Sequence, residues 1–386
     1  MIKQINKDLK AIKPNPILGF NEELLKEEGL IPLTLGEPDF NTPEHVKAAA
    51  ISSINDNYSH YTNPRGILKL REAAAHFFAQ KYGLNYDAKT QIITTAGVTE
   101  GIYDSLATIL NPGDSVIVPT PTFPLYMDNI QLHGAHVIEV DTSEDGFVLT
   151  PEKLKQALAE NENVKAIVIN SPGNPTGISY DETTLKELAK VIKDSSIFCI
   201  SDEIYSELTY GKPHVSIAKF IPEQTIVLNG LSKSHAMTGW RIGFIMAPAD
   251  LIDMINVVHQ YAVTSVTDNV QFAALEALNN GADDGLEMRD VYAKRLNLLR
   301  AGLLKAGFAS PKPTGAFYIF AKIPEQFTQD DFAFSRQLAH QAKVGVIPGS
   351  SFGKGGAGYI RISYATNEKN LKEAIKRIQN FVKQEG

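Results

Sequence analysis

The stretch Thr225-Ile226-Val227-Leu228-Asn229-Gly230-Leu231-Ser232-Lys233-Ser234-His235-Ala236-Met237-Thr238-Gly239-Trp240-Arg241 starts as a short apolar run and turns at once into a polar loop. The run, rich in β-branched residues, predicts a buried strand. The loop predicts a chemical edge, because open α/β sheets bind ligands outside the carboxyl ends of their strands. Lys233 is the side-chain type that forms a Schiff base with a carbonyl, and the planar fork of Arg241 suits a phosphate. A Ser-Lys pair after a strand is most often a solvated loop, so the reading depends on the rest of the chain.

The pattern recurs. Residues 164–169 run into Asn170-Ser171-Pro172-Gly173-Asn174-Pro175-Thr176-Gly177, and 197–200 run into Ser201-Asp202-Glu203-Ile204-Tyr205. Residues 115–118 and 242–246 are two more short apolar runs. Helical patterns separate them: 66–82, with Leu70, Ala73, Ala74, Phe77 and Phe78 on broad apolar faces; 99–110, closed by the turn signal Asn111-Pro112-Gly113-Asp114; and 181–193. Short buried strands alternating with helices predict an α/β fold, with a large domain whose mostly parallel sheet is sandwiched by helices. From residue 286 the strands thin out (317–320 and 359–363) between helices at 286–306, 330–343 and 368–382, which reads as a smaller α/β domain. The first forty-odd residues carry no large core and are expected to pack on it, so that the small domain is built from both chain ends. The expected division is 1–44, 45–285 and 286–386.

Composition narrows the function. The charge balance is 37 − 44 = −7, with no basic run, so nucleic acid and anionic membranes are excluded as main partners. The single cysteine, Cys199, cannot form an intrachain disulfide or a multi-cysteine metal site and fits a reducing compartment. Residues 1–13 lack a signal-peptide apolar core, and no window of about eighteen apolar residues exists. A cytoplasmic protein is expected.

The distinctive side chains fall just after strands. Asn174 follows one, Asp202 and Tyr205 the next, and Lys233 the third, so an amide, a carboxylate, a phenol and an amine are expected at one sheet edge. At this point the chain resembles the class I aminotransferases of the aspartate aminotransferase family, which are pyridoxal 5′-phosphate enzymes of fold type I. The resemblance runs from about residue 30 to the end. It rests on Leu35-Gly36-Glu37-Pro38-Asp39-Phe40, Tyr61-Thr62, Asn174-Pro175-Thr176-Gly177, Ser201-Asp202-Glu203-Ile204-Tyr205, Ser232-Lys233, Gly239-Trp240-Arg241-Ile242-Gly243 and Tyr359-Ile360-Arg361-Ile362-Ser363. Ser206-Glu207-Leu208-Thr209-Tyr210 and Gly230-Leu231-Ser232-Lys233-Ser234-His235 look closest to the bacterial branch that includes aromatic-amino-acid and N-acetyl-diaminopimelate aminotransferases.

The resemblance implies roles. Lys233, beside Ser232, would hold the cofactor as a Schiff base and then move the Cα proton of the substrate. Asp202 would face the pyridine nitrogen and keep the ring protonated, as an electron sink requires; it could instead cap a helix. Tyr205 and Asn174 would hydrogen-bond the ring oxygen, although Asn174 also suits a turn before Pro175. Phe123 matches the aromatic ring stacked over the cofactor, or is simple core. Arg241 and backbone amides near Gly97, Val98 and Thr99 would bind the phosphate at a helix N-terminus. Tyr61 would reach the phosphate of the neighbouring subunit, which implies a homodimer with composite sites. Arg361 would clamp the substrate α-carboxylate with the backbone of Gly36, the alternative being a structural ion pair.

Other features read as bland. Cys199 is core, His235 is a loop residue, the histidines show no metal-ligand spacing, and Gly353-Lys354-Gly355-Gly356 lacks the frame of a P-loop. The expected reaction is transfer of an amino group from an L-amino acid, aromatic or N-acetyl-diaminopimelate-like, to a 2-oxo acid, 2-oxoglutarate by family habit. Two alternatives are a β-C–S lyase of cystathionine type and a non-enzymatic regulator with an aminotransferase-like body. The presence of Lys233, Asp202 and Arg241 counts against the last. For the substrate side chain, residues 17–20 and Phe352 offer an apolar wall, and Arg65, His60 and His214 offer polar contacts.

Overall fold

A computed structural model of the chain describes Leu9, Ile12 and residues 16–385. The strands in chain order are β1 (Ile31–Pro32), β2 (Ile92–Thr95), β3 (Ser115–Thr120), β4 (His136–Asp141), β5 (Val164–Asn170), β6 (Phe198–Asp202), β7 (Thr225–Gly230), β8 (Gly243–Met246), β9 (Tyr318–Lys322), β10 (Val344–Gly345), β11 (Ile347–Pro348) and β12 (Tyr359–Ser363). The helices are α1 (Pro16–Leu24), α2 (Glu44–Asn55), α3 (Leu68–Tyr82), α4 (Val98–Ile109), α5 (Leu125–Leu132), α6 (Pro151–Glu160), α7 (Glu182–Ser195), α8 (Ala249–Ala262), α9 (Asp268–Asn280), α10 (Gly285–Lys305), α11 (Asp331–Gln337) and α12 (Glu368–Glu385).

Seven strands form one sheet in the order β2-β8-β7-β6-β5-β3-β4. Only β8 runs against its neighbours; the pairs from β7 to β4 are parallel. Side chains alternate between two apolar layers, as period-two strands require. Val116, Val118, Val168 and Ile200 pack with Ile102 and Leu106 of α4 and Ile252 and Ile255 of α8. Ile117, Ile167 and Cys199 face the other way, onto Leu154 of α6 and Leu185, Leu188 and Ile192 of α7. Each such buried aliphatic side chain contributes about 1.5–3 kcal/mol before entropy is subtracted. The entry of α7 shows the local logic: the Asp181 carboxylate accepts the Thr184 N–H at 2.8 Å, and apolar residues then recur on one face.

A second body holds the antiparallel sheet β11-β12-β9 and the parallel pair β1-β10. Leu296, Leu299 and Leu303 of α10 and Leu371, Ile378 and Phe381 of α12 share its core with Ile31 and Leu33. Residues 1–8, 10, 11, 13–15 and 386 fall outside the description, and with them the start of the N-terminal segment expected over 1–44.

The structure corrects several sequence expectations. Strand β6 extends through Asp202, so that residue ends a strand and does not cap a helix. The helix expected over 330–343 is α-helical only to Gln337 and finishes in a wider turn, Leu338–Ala342. Strands β2 and β4 and helices α5, α6, α8 and α9 had no counterpart in the sequence reading. β4, His-Val-Ile-Glu-Val-Asp, is a half-exposed edge strand without a continuous apolar run, which is why its signal is weak.

Candidate active site

Parallel register builds the site. Asn170 pairs with Asp202 and Asp202 with Leu228, so the loops after β5, β6 and β7 leave the sheet side by side. Here a cavity of 290 Å³ is lined by Gly36, Val98, Thr99, Phe123, Asn174, Asp202, Tyr205, Ser232, Lys233, Arg241 and Arg361, along with Ile17, Leu18, Thr34, Leu35, Ile102, Tyr126 and Tyr318. The second body supplies Arg361 and Tyr318, and the segment around β1 supplies Thr34 and Gly36.

Lys233 is half-buried. Its ammonium donates to the Gly36 carbonyl at 2.7 Å and lies 5.9 Å from the Tyr205 ring centre and 5.8 Å from that of Phe317. Burial, aided by the positive charges of Arg241 and Arg361 and opposed by Glu37, lowers its pKa to about 8. Its loop is pinned from outside: Trp240 Nε1 donates to Thr42 Oγ1 at 3.0 Å, and that hydroxyl donates to the Ala236 carbonyl at 2.8 Å.

Asp202 is buried, and burial raises its pKa to about 6 even though two donors favour its charged form. Those donors are the Tyr126 hydroxyl at 2.7 Å and the Ile204 N–H at 3.1 Å. The adjacent Glu203 points elsewhere, accepting from Ser201 and Ser216 and meeting His214 at 2.8 Å. Tyr205 and Tyr318 bring their hydroxyls within 2.9 Å.

Arg361 is 2 % exposed. Its Nη1 donates to Asn174 Oδ1 at 3.0 Å and its Nη2 to the Thr34 carbonyl, while Nε has no hydrogen-bond partner. The guanidinium carbon lies 4.7 Å from the ring centre of Tyr318 and 5.0 Å from that of Phe352. Among the described residues no carboxylate lies within ion-pair distance, so the structural ion pair weighed from the sequence is absent. A buried, uncompensated cation beside a cavity calls for an anionic ligand.

At the opposite end, Gly97 precedes α4 with φ 82°, and a Cβ there would meet Arg241 Nη2 at 2.5 Å. Arg241 itself is left-handed, at φ 59°, and donates to the Thr238 carbonyl at 2.9 Å. The free N–H groups of the first turn of α4 and this guanidinium therefore share one spot.

A model of the aminotransferase class I and II family matches residues 28–378. The chain belongs to that family. A probable N-acetyl-LL-diaminopimelate aminotransferase of Bacillus subtilis (strain 168) is 46 % identical over 378 residues, 98 % of this chain and 95 % of that protein. The aromatic-amino-acid aminotransferase 2 of Thermococcus litoralis is 37 % identical over 97 % of both chains. The solved aspartate aminotransferase of Thermus thermophilus with maleate superposes with a TM-score of 0.92 at 36 % identity, covering 97 % of this chain and 99 % of that one. The chain is thus a pyridoxal-phosphate-dependent aminotransferase. Members of the class act on amino and oxo acids and are generally dimeric. Among the described residues no helix is long and apolar enough to cross a membrane.

The donor set fits the cofactor. One end of the cavity offers a cationic fork and helix amides in a cradle that a Cβ at position 97 would fill; the wall offers a carboxylate and the floor a primary amine. Three expectations fall away from this aminotransferase's cavity. His214 is buried on Glu203, the Arg65 guanidinium pairs with Asp253, and His60 lines a separate hollow with Tyr58 and Asp268. Tyr61, 88 % exposed, lies in that same hollow and not in this chain's cavity. Phe352 lies against the Arg361 guanidinium and is not among the residues that line the cavity. Tyr126 and Tyr318 went unread. Their only sequence signal is that a buried tyrosine needs a hydroxyl partner.

Proposed function

We propose that this aminotransferase binds the α-carboxylate of an L-amino acid on Arg361 and removes its Cα proton with Lys233. The observation that carries the reading is the buried, carboxylate-free Arg361 on the cavity that also holds the Lys233 amine. The planar fork suits a carboxylate, and fixing that group orients the donor's Cα toward Nζ. With a pKa near 8, about a tenth of Lys233 is neutral at pH 7, enough for a nucleophile and base. Asp202, fixed by Tyr126 and ionised at neutral pH, would face the cofactor's ring nitrogen. Tyr205 and Asn174 would hold the ring oxygen, Phe123 would cover the ring, and Arg241 with the amides of Gly97, Val98 and Thr99 would hold the phosphate. Bound pyridoxal phosphate supplies the electron sink that lets the Cα proton leave. In a homodimer, exposed Tyr61 reaches the phosphate end of the partner site.

The donor proposed first is an N-acylated diamino acid of the N-acetyl-LL-diaminopimelate kind, supported by the 46 % identical relative of that name. An aromatic amino acid is the second reading. It is favoured by the apolar wall of Ile17, Leu18, Leu35 and Ile102 and by a described lining whose only cations are Lys233, Arg241 and Arg361. 2-Oxoglutarate is the acceptor to test first. The deciding experiment mixes holoenzyme with single donors and no oxo acid, and follows the lysine-linked cofactor band. Its loss, with the matching oxo acid released, identifies the donor. A persistent band with pyruvate and ammonia from cystathionine would overturn the reading in favour of a lyase.

A further inference from the structure

Behind the phosphate end lies a buried titratable group that the reaction does not use. His259 of α8 is fully buried, with Nε2 2.8 Å from the Pro64 carbonyl and Nδ1 2.9 Å from Glu100 Oε1 and 3.6 Å from Asp104 Oδ2. A carbonyl only accepts hydrogen bonds, so Nε2 carries a proton; ionised carboxylates also only accept, so Nδ1 carries one too. The ring is an imidazolium. Burial opposes that charge, but the Glu100 hydrogen bond and the negative charges of Asp104 and Glu100 outweigh it and raise the pKa to about 9.

Glu100 connects this ring to the site. It is the third residue of α4, and its second oxygen accepts the Ala96 N–H just before Gly97. A glutamate reaching back from the first helical turn fixes the chain entering the helix. Pro64, on the other side of the ring, belongs to the segment carrying Tyr61. Buried Gln271 holds that segment as well, accepting the Ile67 N–H at 2.8 Å and donating to Thr62 Oγ1 at 2.9 Å. Contacts thus run without a break from Pro64 through His259 and Glu100 to Ala96.

We infer that His259 is a positioning residue for the phosphate end of the site, acting through Glu100 on the turn 96–98 and through Pro64 on the segment of Tyr61. The inference rests on the proposed phosphate site at the start of α4. An anion cradle made of backbone amides has no side-chain slack, so its turn must be held from behind. His259 and Glu100 supply that hold with charge-assisted bonds in a dry setting.

Two variants test this. His259→Gln keeps a polar side chain but cannot donate to Pro64 and Glu100 together. Glu100→Gln keeps the hydrogen-bond path but not its charge, since its oxygen still accepts from Ala96 while its amide donates to Nδ1 of a neutral ring. Holoenzyme is stripped and reconstituted with pyridoxal 5′-phosphate or with pyridoxal, which lacks the phosphate. His259→Gln should weaken the phosphorylated cofactor by roughly 10- to 100-fold, the effect of one lost charge-assisted bond, and leave pyridoxal unchanged. Glu100→Gln, which keeps the links without their charge, should fall between the wild type and His259→Gln. Equal weakening of both cofactors, no weakening in His259→Gln, or a larger loss in Glu100→Gln than in His259→Gln would each overturn the inference. So would stoichiometric metal in the wild type that His259→Gln loses, because Glu100, Asp104 and His259 present three ligand atoms to one point. Failure of the underlying phosphate reading is separable: wild-type protein would then bind pyridoxal as tightly as its phosphate.

Discussion

Replacing Arg361 by lysine keeps the charge and removes the geometry. In the structure one Nη donates to Asn174 and the other to Thr34, and the guanidinium carbon lies 4.7 and 5.0 Å from the ring centres of Tyr318 and Phe352. An ammonium at that place cannot offer two parallel N–H groups to a carboxylate. The variant therefore loses one charge-assisted hydrogen bond to the donor, about 1.5–3 kcal/mol. At 1.4 kcal/mol per factor of ten, kcat/KM should fall by roughly 10- to 150-fold. Asn174 Oδ1 and the Thr34 carbonyl compete for one remaining ammonium, so the unfolding temperature should fall as well.

The assay separates these effects. Single-turnover half-reactions with a good donor give kcat/KM, an unreactive carboxylic acid gives binding alone, and reconstitution gives cofactor affinity. Weaker donor and carboxylate binding with cofactor affinity intact is the expected outcome. An unchanged kcat/KM beside a lowered unfolding temperature would mean that Arg361 is a packing element. A lowered kcat with unchanged carboxylate affinity would place the substrate carboxylate elsewhere.

Lys233→Ala should remove the lysine-linked absorbance band and turnover while leaving the circular dichroism of the wild type, and near-normal activity would refute the assignment. Tyr126→Phe deletes the 2.7 Å bond to Asp202, a bond that favours the charged carboxylate, so the Asp202 pKa should move above about 6. Activity should then fall more at acidic than at alkaline pH, and a uniform fall would show that Tyr126 acts only on packing. His259 gives a stability signature. Its folded pKa of about 9 exceeds the usual 6.5, so its stabilisation is complete below about 6.5 and is lost as pH rises through 9. Over that window the unfolding free energy should drop by on the order of 2–3 kcal/mol, and His259→Gln should flatten the slope measured by denaturant titration.

What the sequence discloses about this site, and what it withholds, follows from the range over which each signal acts. Asn174, Asp202 and Lys233 are legible because each sits just past a short apolar run, and parallel strands align their ends by register, here Asn170 with Asp202 and Asp202 with Leu228. Strand period and sheet direction are enough to bring such residues to one edge. The partners that tune them are not local. Tyr126 of α5 meets Asp202 at the end of β6, Tyr318 of β9 meets Tyr205 in the loop after β6, and His259 of α8 meets Glu100 of α4. The same limit explains the misplaced polar contacts. Arg65 and His214 have the right chemistry for a substrate pocket, but nothing in a loop sequence says that Asp253 and Glu203 already occupy them. Arg361 differs from them only in what surrounds it. All three side chains are hydrogen-bonded, yet Arg65 and His214 are neutralised by carboxylates and Arg361 is not, and a buried charge left without its counter-ion is costly unless a ligand supplies it. That missing counter-ion, which no sequence pattern records, is what supports the proposal that Arg361 binds a carboxylate.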